Sequence, residues 1–283
     1  MTPEQRYFFD LTGYLHLEQV VQGDELEQAQ QAAQRYIDTP NDQLPPGFEF
    51  IPEREHFNWY LHAFAFDKAL EALAFHPQTW PIIRELTSGK PRLGGGNMMV
   101  DGPGWPFHPL HSGREGVRRR GSTDARHYFV LNGKIHCNDL VFFFYLNDVH
   151  PGDGGLIVVP CSHKESFLRP RELFYPGSYL EDGGYNDDYA SAEVPPGVVN
   201  ITPKAGDVVV ISELLTHGAL TWQPKDRERR FLTLRYKQQH IVPDLELPED
   251  VLAKLSPETH ELVATLPITE IKAIAEQDVV HLS

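Results

Sequence analysis

The middle of the chain consists of short apolar runs separated by turn residues, and this pattern restricts the possible folds more than any other feature. Between about residues 93 and 236, the apolar runs alternate with Gly, Pro, Asn and Asp. Strands are predicted at residues 141–146, 156–159, 207–211 and 231–236. Many short strands with turns between them are typical of a β sandwich or β barrel.

Helical patterns flank this region on both sides. Thr2-Pro3-Glu4 is a helix start signal, and an amphipathic helix is predicted over residues 24–37. The first ninety residues therefore read as mainly helical, with a strand-like piece at 13–17 and helices broken near Pro77 and Pro81. The β core runs from about 91 to 238, and the tail over 243–283 is helical again. No repeat or low-complexity linker divides the chain, so we expect one domain over residues 1–283.

The charge balance excludes several classes of partner. Asp and Glu number 40 against 25 Lys and Arg, a net charge of −15, which argues against nucleic acid and anionic membranes as partners. No apolar run is long enough to span a bilayer, and Met1-Thr2-Pro3-Glu4 does not resemble a signal peptide. The two cysteines, Cys137 and Cys161, cannot form a disulfide framework. We therefore expect a soluble, reduced, cytoplasmic protein.

Arginines cluster at two places within this acidic chain. The clusters consist of Arg114, Arg118, Arg119 and Arg120, and of Arg227, Arg229 and Arg230. A local cationic pocket suits a small anionic ligand better than a polymer, although solvated loops remain the alternative. Arg118 is accordingly a candidate for binding an anionic small-molecule substrate. A segment rich in Tyr, Gly, Asp and Pro at 171–197 is predicted to be a loop over one mouth of the barrel.

Most of the fourteen histidines have no partner in view, but His217 and the pair His108 and His111 stand out. His217 is predicted at a strand end and is followed by Gly218, a setting in which a metal ion can be bound with open positions. The next predicted strand begins at Arg229 and Arg230, either of which could bind a carboxylate beside the histidine. The alternative is a histidine and an arginine at two unrelated surface turns.

Longer segments of the sequence resemble the phytanoyl-CoA dioxygenase family. The similar segments run in the family's order between about residues 5 and 238, and they are Phe9-Asp10-Leu11-Thr12-Gly13-Tyr14-Leu15, the stretch 138–164 with Pro160-Cys161-Ser162-His163, Lys204-Ala205-Gly206-Asp207, Thr216-His217-Gly218 and Arg229-Arg230. The resemblance implies a mainly β protein with flanking helices, built on a double-stranded β-helix of the jelly-roll, cupin-like type. It also implies a non-haem iron dioxygenase.

The resemblance further implies a cofactor set and its ligands. Such an enzyme binds Fe(II) and 2-oxoglutarate, reacts with O2, and oxidises a substrate while releasing succinate and CO2. Family iron is held by a His-x-Asp motif and a distant histidine. These histidines map onto His111 and His217, which are thus the predicted metal ligands and catalytic residues. The 2-oxoglutarate arginine maps onto Arg229, with Arg230 as the alternative.

The chain departs from the family pattern at the expected aspartate. Gly113 stands two positions after His111, and Leu110 stands two positions after His108. A carboxylate from elsewhere could replace it, and the candidates are Glu115, Asp124 and Asp139. Alternatively, two histidines could act with a solvent or halide ligand, as in halogenating relatives, or iron chemistry could be lost. The run Leu110-His111-Ser112-Gly113 is also similar to a subgroup that has Leu-His-Gly-Gly at this place.

Four functions therefore remain open. The leading one is an oxygenase that hydroxylates or otherwise oxidises a small molecule, and a halogenase is the enzymatic alternative. A non-catalytic binding protein on the same fold, or a cupin-like protein with another divalent metal, are the others. Phe142, Phe144 and Tyr145 on the central predicted strand could line a pocket, although packing in the core is favoured. The sequence leaves the substrate, a metal role for His108 and the oligomeric state undetermined.

Overall fold

The computed structural model describes residues 1–54, 57–113, 127–167, 169–241 and 246–282. The arginine cluster that contains Arg118 lies outside these ranges, as do the candidate carboxylates Glu115 and Asp124. The predictions for these residues are therefore not addressed by the structure.

Thirteen strands in the described ranges form two packed antiparallel sheets and a hairpin. The strands are β1 (Tyr14–Leu17), β2 (Phe50–Arg54), β3 (Phe57–Tyr60), β4 (Pro91–Asp101), β5 (His108–His111), β6 (Tyr128–Leu131), β7 (Lys134–Cys137), β8 (Asp139–Tyr145), β9 (Gly155–Val158), β10 (Val199–Asn200), β11 (Val208–Ser212), β12 (His217–Leu220) and β13 (Arg229–Gln238). The large sheet has the order β1-β11-β8-β13-β4-β3-β2, the small sheet β10-β9-β12-β5, and β6 pairs with β7. The predicted jelly-roll fold of mainly β structure is confirmed.

The helices lie in the N-terminal and C-terminal parts of the chain. They are α1 (Pro3–Thr12), α2 (Gly23–Asp38), α3 (Lys68–Ala72), α4 (Trp80–Leu86), α5 (Glu249–Leu252) and α6 (Pro257–Val263). At the start of α1, Thr2 and Gln5 form a reciprocal capping box, which confirms the predicted start signal. Gly13 ends the same helix at φ 84°, a left-handed conformation that favours glycine. None of the helices in the described ranges is long and apolar enough to cross a membrane.

The structure differs from the predicted elements at several points. The N-terminal part contains β2 and β3, which extend the large sheet and were not predicted. Pro81 lies in the first turn of α4, where a missing backbone N–H costs nothing, so it begins a helix rather than breaking one. The strand that contains residues 208–212 ends at Ser212, and His217 begins a new strand instead of ending that one.

Alternation along β8 separates two apolar layers. Phe142 and Phe144 point away from the small sheet into a large core formed with the helices. Val141, Phe143 and Tyr145 point into the space between the two sheets. Successive side chains of a strand lie on opposite faces, so one strand serves both the core and the interior of the jelly roll. The interior between the sheets is where the candidate site lies.

Candidate metal and cosubstrate site

The small sheet brings His111 and His217 face to face. The two residues are register partners in the antiparallel pairing of β5 with β12, and their ring centroids are 4.3 Å apart. The Nδ1 atom of His111 lies 2.9 Å from the carbonyl oxygen of Pro109, and that of His217 lies 2.8 Å from the carbonyl oxygen of Leu215. Each contact assigns the proton to Nδ1 and leaves the lone pair on Nε2, the form in which imidazole binds a metal.

Gly218 allows this close approach of β12 to β5. A Cβ atom at position 218 would lie 2.5 Å from the carbonyl oxygen of His108, which is closer than side chains come in folded proteins. From the sequence, the glycine was expected to leave room for a metal. In the structure its role is to let two strand backbones come together, and this in turn places His217 opposite His111.

Both histidines line a cavity of about 340 Å³ between the sheets. Its walls combine aromatic and apolar side chains with a few polar ones, and they consist of Trp59, Met99, Trp105, His108, His111, Phe143, Tyr145, Leu156, Tyr185, His217, Gly218, Ala219, Arg229, Phe231, Thr233 and Arg235. Tyr185 comes from the loop at 171–197, as expected for a segment that covers one mouth of the barrel. A mostly apolar cavity with a few convergent polar groups is typical of a small-molecule site.

His108 also faces this cavity. Its ring centroid lies 4.8 Å from that of His111 and 5.1 Å from that of Tyr185. In the pairing of β5 with β12, however, His108 lies opposite Ala219, whereas His111 lies opposite His217. The strand register therefore places only one of the two histidines, His111, opposite His217. His108 lies farther along the cavity wall, next to Tyr185 of the loop at 171–197.

The two candidate arginines point to opposite faces of the sheet, because they are consecutive residues of β13. Arg229 lines the cavity, is 4% exposed, and forms a buried ion pair with Asp101. Arg230 points to the opposite face of the sheet, where it contacts Glu228 at 2.8 Å and Gln34 at 2.6 Å. Only Arg229 of the two shares a cavity with the histidines.

Gly113, where the family has an aspartate, offers no side chain and is held by its backbone. The N–H of Gly113 donates to the carbonyl oxygen of Glu213 at 2.7 Å. Within the described ranges, no group of three His, Cys, Asp or Glu side chains is arranged to hold a metal ion. The candidate Asp139 is 2% exposed and lies 3.4 Å from the ammonium of Lys237. The described carboxylates therefore supply no preformed third ligand.

Glu213 is a charged residue of the site that was not predicted from the sequence. Its carboxylate lies 2.8 Å from Arg235, a residue of the cavity wall. Burial raises the pKa of Glu213, but the charges of Arg235, His217 and His111 outweigh that effect and lower the pKa to about 2. A negative charge is thus held beside both imidazoles. The signal was present in the sequence, since Glu213 lies in the turn between a predicted strand and His217.

The aromatic residues of β8 divide between pocket and core. Tyr145 lines the cavity together with Phe143, whereas Phe142 and Phe144 belong to the helix-covered core. The prediction that Tyr145 shares a face with Phe142 and Phe144 is wrong, because residues an odd number apart on a strand lie on opposite faces. The preference for core packing is correct for the two phenylalanines.

Comparison with known proteins identifies the family. The sequence matches the phytanoyl-CoA dioxygenase (PhyH) family over residues 9–230. The chain belongs to this family. The predicted family, and with it the class of non-haem iron, 2-oxoglutarate-dependent enzymes that use Fe(II), 2-oxoglutarate and O2, is confirmed. No curated protein sequence matches the chain.

Solved structures share the fold at low sequence identity. HygX from Streptomyces hygroscopicus, in a crystal structure with nickel and 2-oxoglutarate bound, is 22% identical with a TM-score of 0.65, and the match covers 94% of this chain and 96% of HygX. A second HygX structure also contains hygromycin B. The epimerase SnoN from nogalamycin biosynthesis, in complex with Fe3+, alpha ketoglutarate and nogalamycin RO, is 16% identical with a TM-score of 0.58, covering 84% and 83% of the two chains.

Proposed function

We propose that the chain is an Fe(II)- and 2-oxoglutarate-dependent oxygenase that oxidises a small molecule at the cavity between the sheets. The observation that carries this proposal is the spacing between the histidine pair and Arg229. Gly155 pairs with Leu220 at the far end of β12, and a Cβ at Gly155 would lie 2.6 Å from Nη1 of Arg229. The guanidinium therefore lies beside a strand position three residues from His217, about 10 Å along the strand. A five-carbon 2-oxo acid chelated at one end by a metal on the histidines would extend its other carboxylate toward this guanidinium.

Each group in the cavity has a role in this proposal. His111 and His217 would hold the iron through their imidazoles, and Arg229 would bind the distal carboxylate of 2-oxoglutarate. A charge-assisted contact of this kind contributes about 1.5–3 kcal/mol. When bound, the iron couples the oxidative decarboxylation of 2-oxoglutarate by O2 to oxidation of the substrate, with succinate and CO2 as products. The aromatic walls, including Trp105 and Phe231, exclude water from the cavity.

For the substrate, we propose only a class, a small molecule. Tyr185 and His108 line the cavity, and its volume suits a small molecule or one part of a larger one. The presence of hygromycin B in HygX and of nogalamycin RO in SnoN supports a small-molecule substrate. A role for Arg118 in binding an anionic group of the substrate remains a proposal, as do a single domain and a cytoplasmic location.

Gly113 favours one alternative function, halogenation. Glycine brings no carboxylate to this position, so an exogenous anion would have to complete the site beside the two imidazoles. Adding chloride to the loaded protein should give a halogenated product if this alternative holds, and Gly113→Asp should abolish halogenation. Absence of chloride from the product, together with hydroxylation by the wild-type protein, would leave the oxygenase as the function.

The proposal is tested by anaerobic titration of the Fe(II)-loaded protein with 2-oxoglutarate. Chelation of the iron by the 2-oxo acid should produce a visible charge-transfer band, and 2-oxoglutarate should raise the melting temperature. Arg229→Gln should weaken 2-oxoglutarate binding strongly. Arg230→Gln is the matched control, because the neighbouring side chain points away from the cavity. If neither a band nor a thermal shift is observed, the chain is a binding protein on this fold or uses another metal.

A further inference from the structure

The Arg229 guanidinium is held by a carboxylate that has no other described role. Arg229 and Asp101 are register partners on β13 and β4. Nε of Arg229 donates to Oδ2 of Asp101 at 2.6 Å, and Nη2 donates to the same oxygen. Asp101 is fully buried and Arg229 is 4% exposed. The pair is therefore a dry contact inside the jelly roll, where its geometry is protected from water.

The contact occupies only one edge of the guanidinium. A guanidinium is planar and presents five N–H groups in a fixed fork, so Nε and Nη2 can bind one carboxylate while Nη1 and Nη2 bind another. Nη1 of Arg229 makes no hydrogen bond to any residue within the described ranges, and Arg229 lines the cavity. The outer edge of the fork is the edge that a bound acid would meet.

Two further neighbours restrict the guanidinium from its remaining sides. The ring of Phe231 lies beneath it, with the guanidinium carbon 5.0 Å from the ring centroid. Gly155, at φ 80°, lies beside Nη1, where a Cβ would be only 2.6 Å away. Asp101 is the one of these three that bonds the guanidinium directly and so sets its rotation.

We propose that Asp101 is a positioning residue that orients Nη1 and Nη2 of Arg229 toward the cavity. In this way Asp101 determines the length of the 2-oxo acid that the site binds best. The inference rests on the proposed role of Arg229 in binding the distal carboxylate. The histidine pair and the oriented guanidinium of Arg229 fix the positions of the two ends of the acid. In an acid one methylene longer than 2-oxoglutarate, the distal carboxylate no longer aligns with Nη1 and Nη2 of Arg229.

Two substitutions at Asp101 distinguish its effect on the orientation of Arg229 from the effect of its negative charge. Asparagine keeps an oxygen acceptor for Nε and removes the negative charge, so the orientation of Arg229 is retained. Alanine removes the acceptor, and the long arginine side chain regains alternative rotamers. A guanidinium that is free to move can follow carboxylates at different distances. The expected result of Asp101→Ala is thus a loss of discrimination, whatever happens to the absolute affinity.

The experiment measures dissociation constants of 2-oxoglutarate and 2-oxoadipate by anaerobic calorimetry on the Mn(II)-loaded protein. The wild-type protein should favour 2-oxoglutarate. In Asp101→Ala the ratio of the two constants should fall about tenfold, comparable to the loss of one charge-assisted hydrogen bond, and Asp101→Asn should retain the wild-type ratio. Asp153→Ala is the matched control, since Asp153 pairs with Arg227 at 2.6 Å outside the cavity. Mn(II) affinity should be the same in all variants.

The outcomes are distinguishable. An unchanged ratio in Asp101→Ala, or a wild-type protein that binds both acids equally, would overturn the inference while Arg229→Gln still abolishes 2-oxoglutarate binding. If Arg229→Gln leaves 2-oxoglutarate binding intact, the proposed cosubstrate site itself fails. Should Asp101→Ala not fold, Gly155→Ala displaces Nη1 from the other side and should lower the same ratio. An unaltered ratio in that variant contradicts the inference.

Discussion

His111 and His217 lie opposite each other across an antiparallel strand pair, and each imidazole donates from Nδ1 to the carbonyl oxygen of the residue two positions before it. The two residues thus use the same local contact to orient their rings. Because the acceptors are backbone carbonyl oxygens, the ring orientation and tautomer are set before any metal binds. Such preorganisation would lower the cost of binding a metal ion through the two imidazoles.

Removal of either imidazole should therefore abolish tight metal binding. We expect His111→Ala and His217→Ala each to weaken Mn(II) binding by about 100-fold or more, because a direct ligand contributes at least as much as its outer-shell support. Electron paramagnetic resonance of free Mn(II) measures the affinity without reference to turnover. His260→Ala is the control on an exposed helix position. Wild-type affinity in His217→Ala would remove this residue from the metal site.

The charge of Glu213 should stabilise a bound cation. Its carboxylate interacts electrostatically with both imidazoles, and substitution by glutamine preserves the shape while removing the charge. We expect Glu213→Gln to weaken Mn(II) binding roughly tenfold, a small part of the Coulomb energy of two charges at short range. Glu228→Gln, which affects the ion pair of Arg230 outside the cavity, should bind like wild type. Equal affinities in the two variants would argue against this role.

Acid should destabilise the metal-free protein through buried histidines. Burial lowers the pKa of His62 and of His76, the latter against the opposing effect of Glu25. A lowered pKa in the folded state means that the unfolded chain binds more protons, so this contribution is complete above about pH 6.5 and is lost as the pH falls. In addition, Nδ1 of His76 accepts a hydrogen bond from the backbone N–H of Gln78, which protonation would break.

Thermal unfolding of the metal-free protein at about pH 7.5 and about pH 5.5 checks this expectation, since the interval spans the ordinary histidine pKa. The melting temperature should fall with pH, and His76→Gln should reduce the slope. Glu213 should not contribute to the change, because its pKa of about 2 lies far below the interval. A slope that is identical in His76→Gln and the wild type would exclude His76 as a source.

The two faces of β8 should respond differently to truncation. Phe142 is fully buried in the core beside the helices, so Phe142→Ala should cost about 3–5 kcal/mol in the free energy of unfolding. Its effect on 2-oxoglutarate affinity should be small. Phe143 lines the cavity, and Phe143→Ala should weaken 2-oxoglutarate binding by enlarging the cavity. Denaturant unfolding measures the stability, and calorimetry measures the 2-oxoglutarate affinity. If Phe142→Ala weakened binding and Phe143→Ala did not, the binding cavity would lie on the face of β8 that carries Phe142.

The two thiols should differ in reactivity. Cys137 is 1% exposed, and burial raises the pKa of its thiol to about 12, whereas Cys161 is exposed. Because the thiolate is the reactive form, a disulfide reagent such as Ellman's reagent should titrate one thiol in the folded protein and both after denaturation. Cys161→Ser should remove the fast phase. Rapid modification of Cys137 in that variant would show that the β7 hairpin opens.

Local sequence signals were sufficient where structure depends on near neighbours. The Thr2 and Pro3 start signal specifies the beginning of α1, and apolar runs bounded by turns specify β8, β9, β11 and β13 to within a few residues. The order of the family's segments was sufficient to predict the jelly roll and to single out His111 and His217. The strands β2 and β3 were missed because they have no strong alternation of their own and pair only by extending the large sheet.

The sequence by itself determined the family and the fold, and it predicted the histidine pair, since these follow from patterns along the chain. Tertiary structure alone decided which arginine faces the histidines, because Arg229 and Arg230 differ only in the side of β13 on which they lie. It also decided that Asp101, 128 residues away in the chain, holds Arg229. Strand pairing brings such residues together, and the energy of a buried ion pair depends on that proximity and on the exclusion of water rather than on sequence separation.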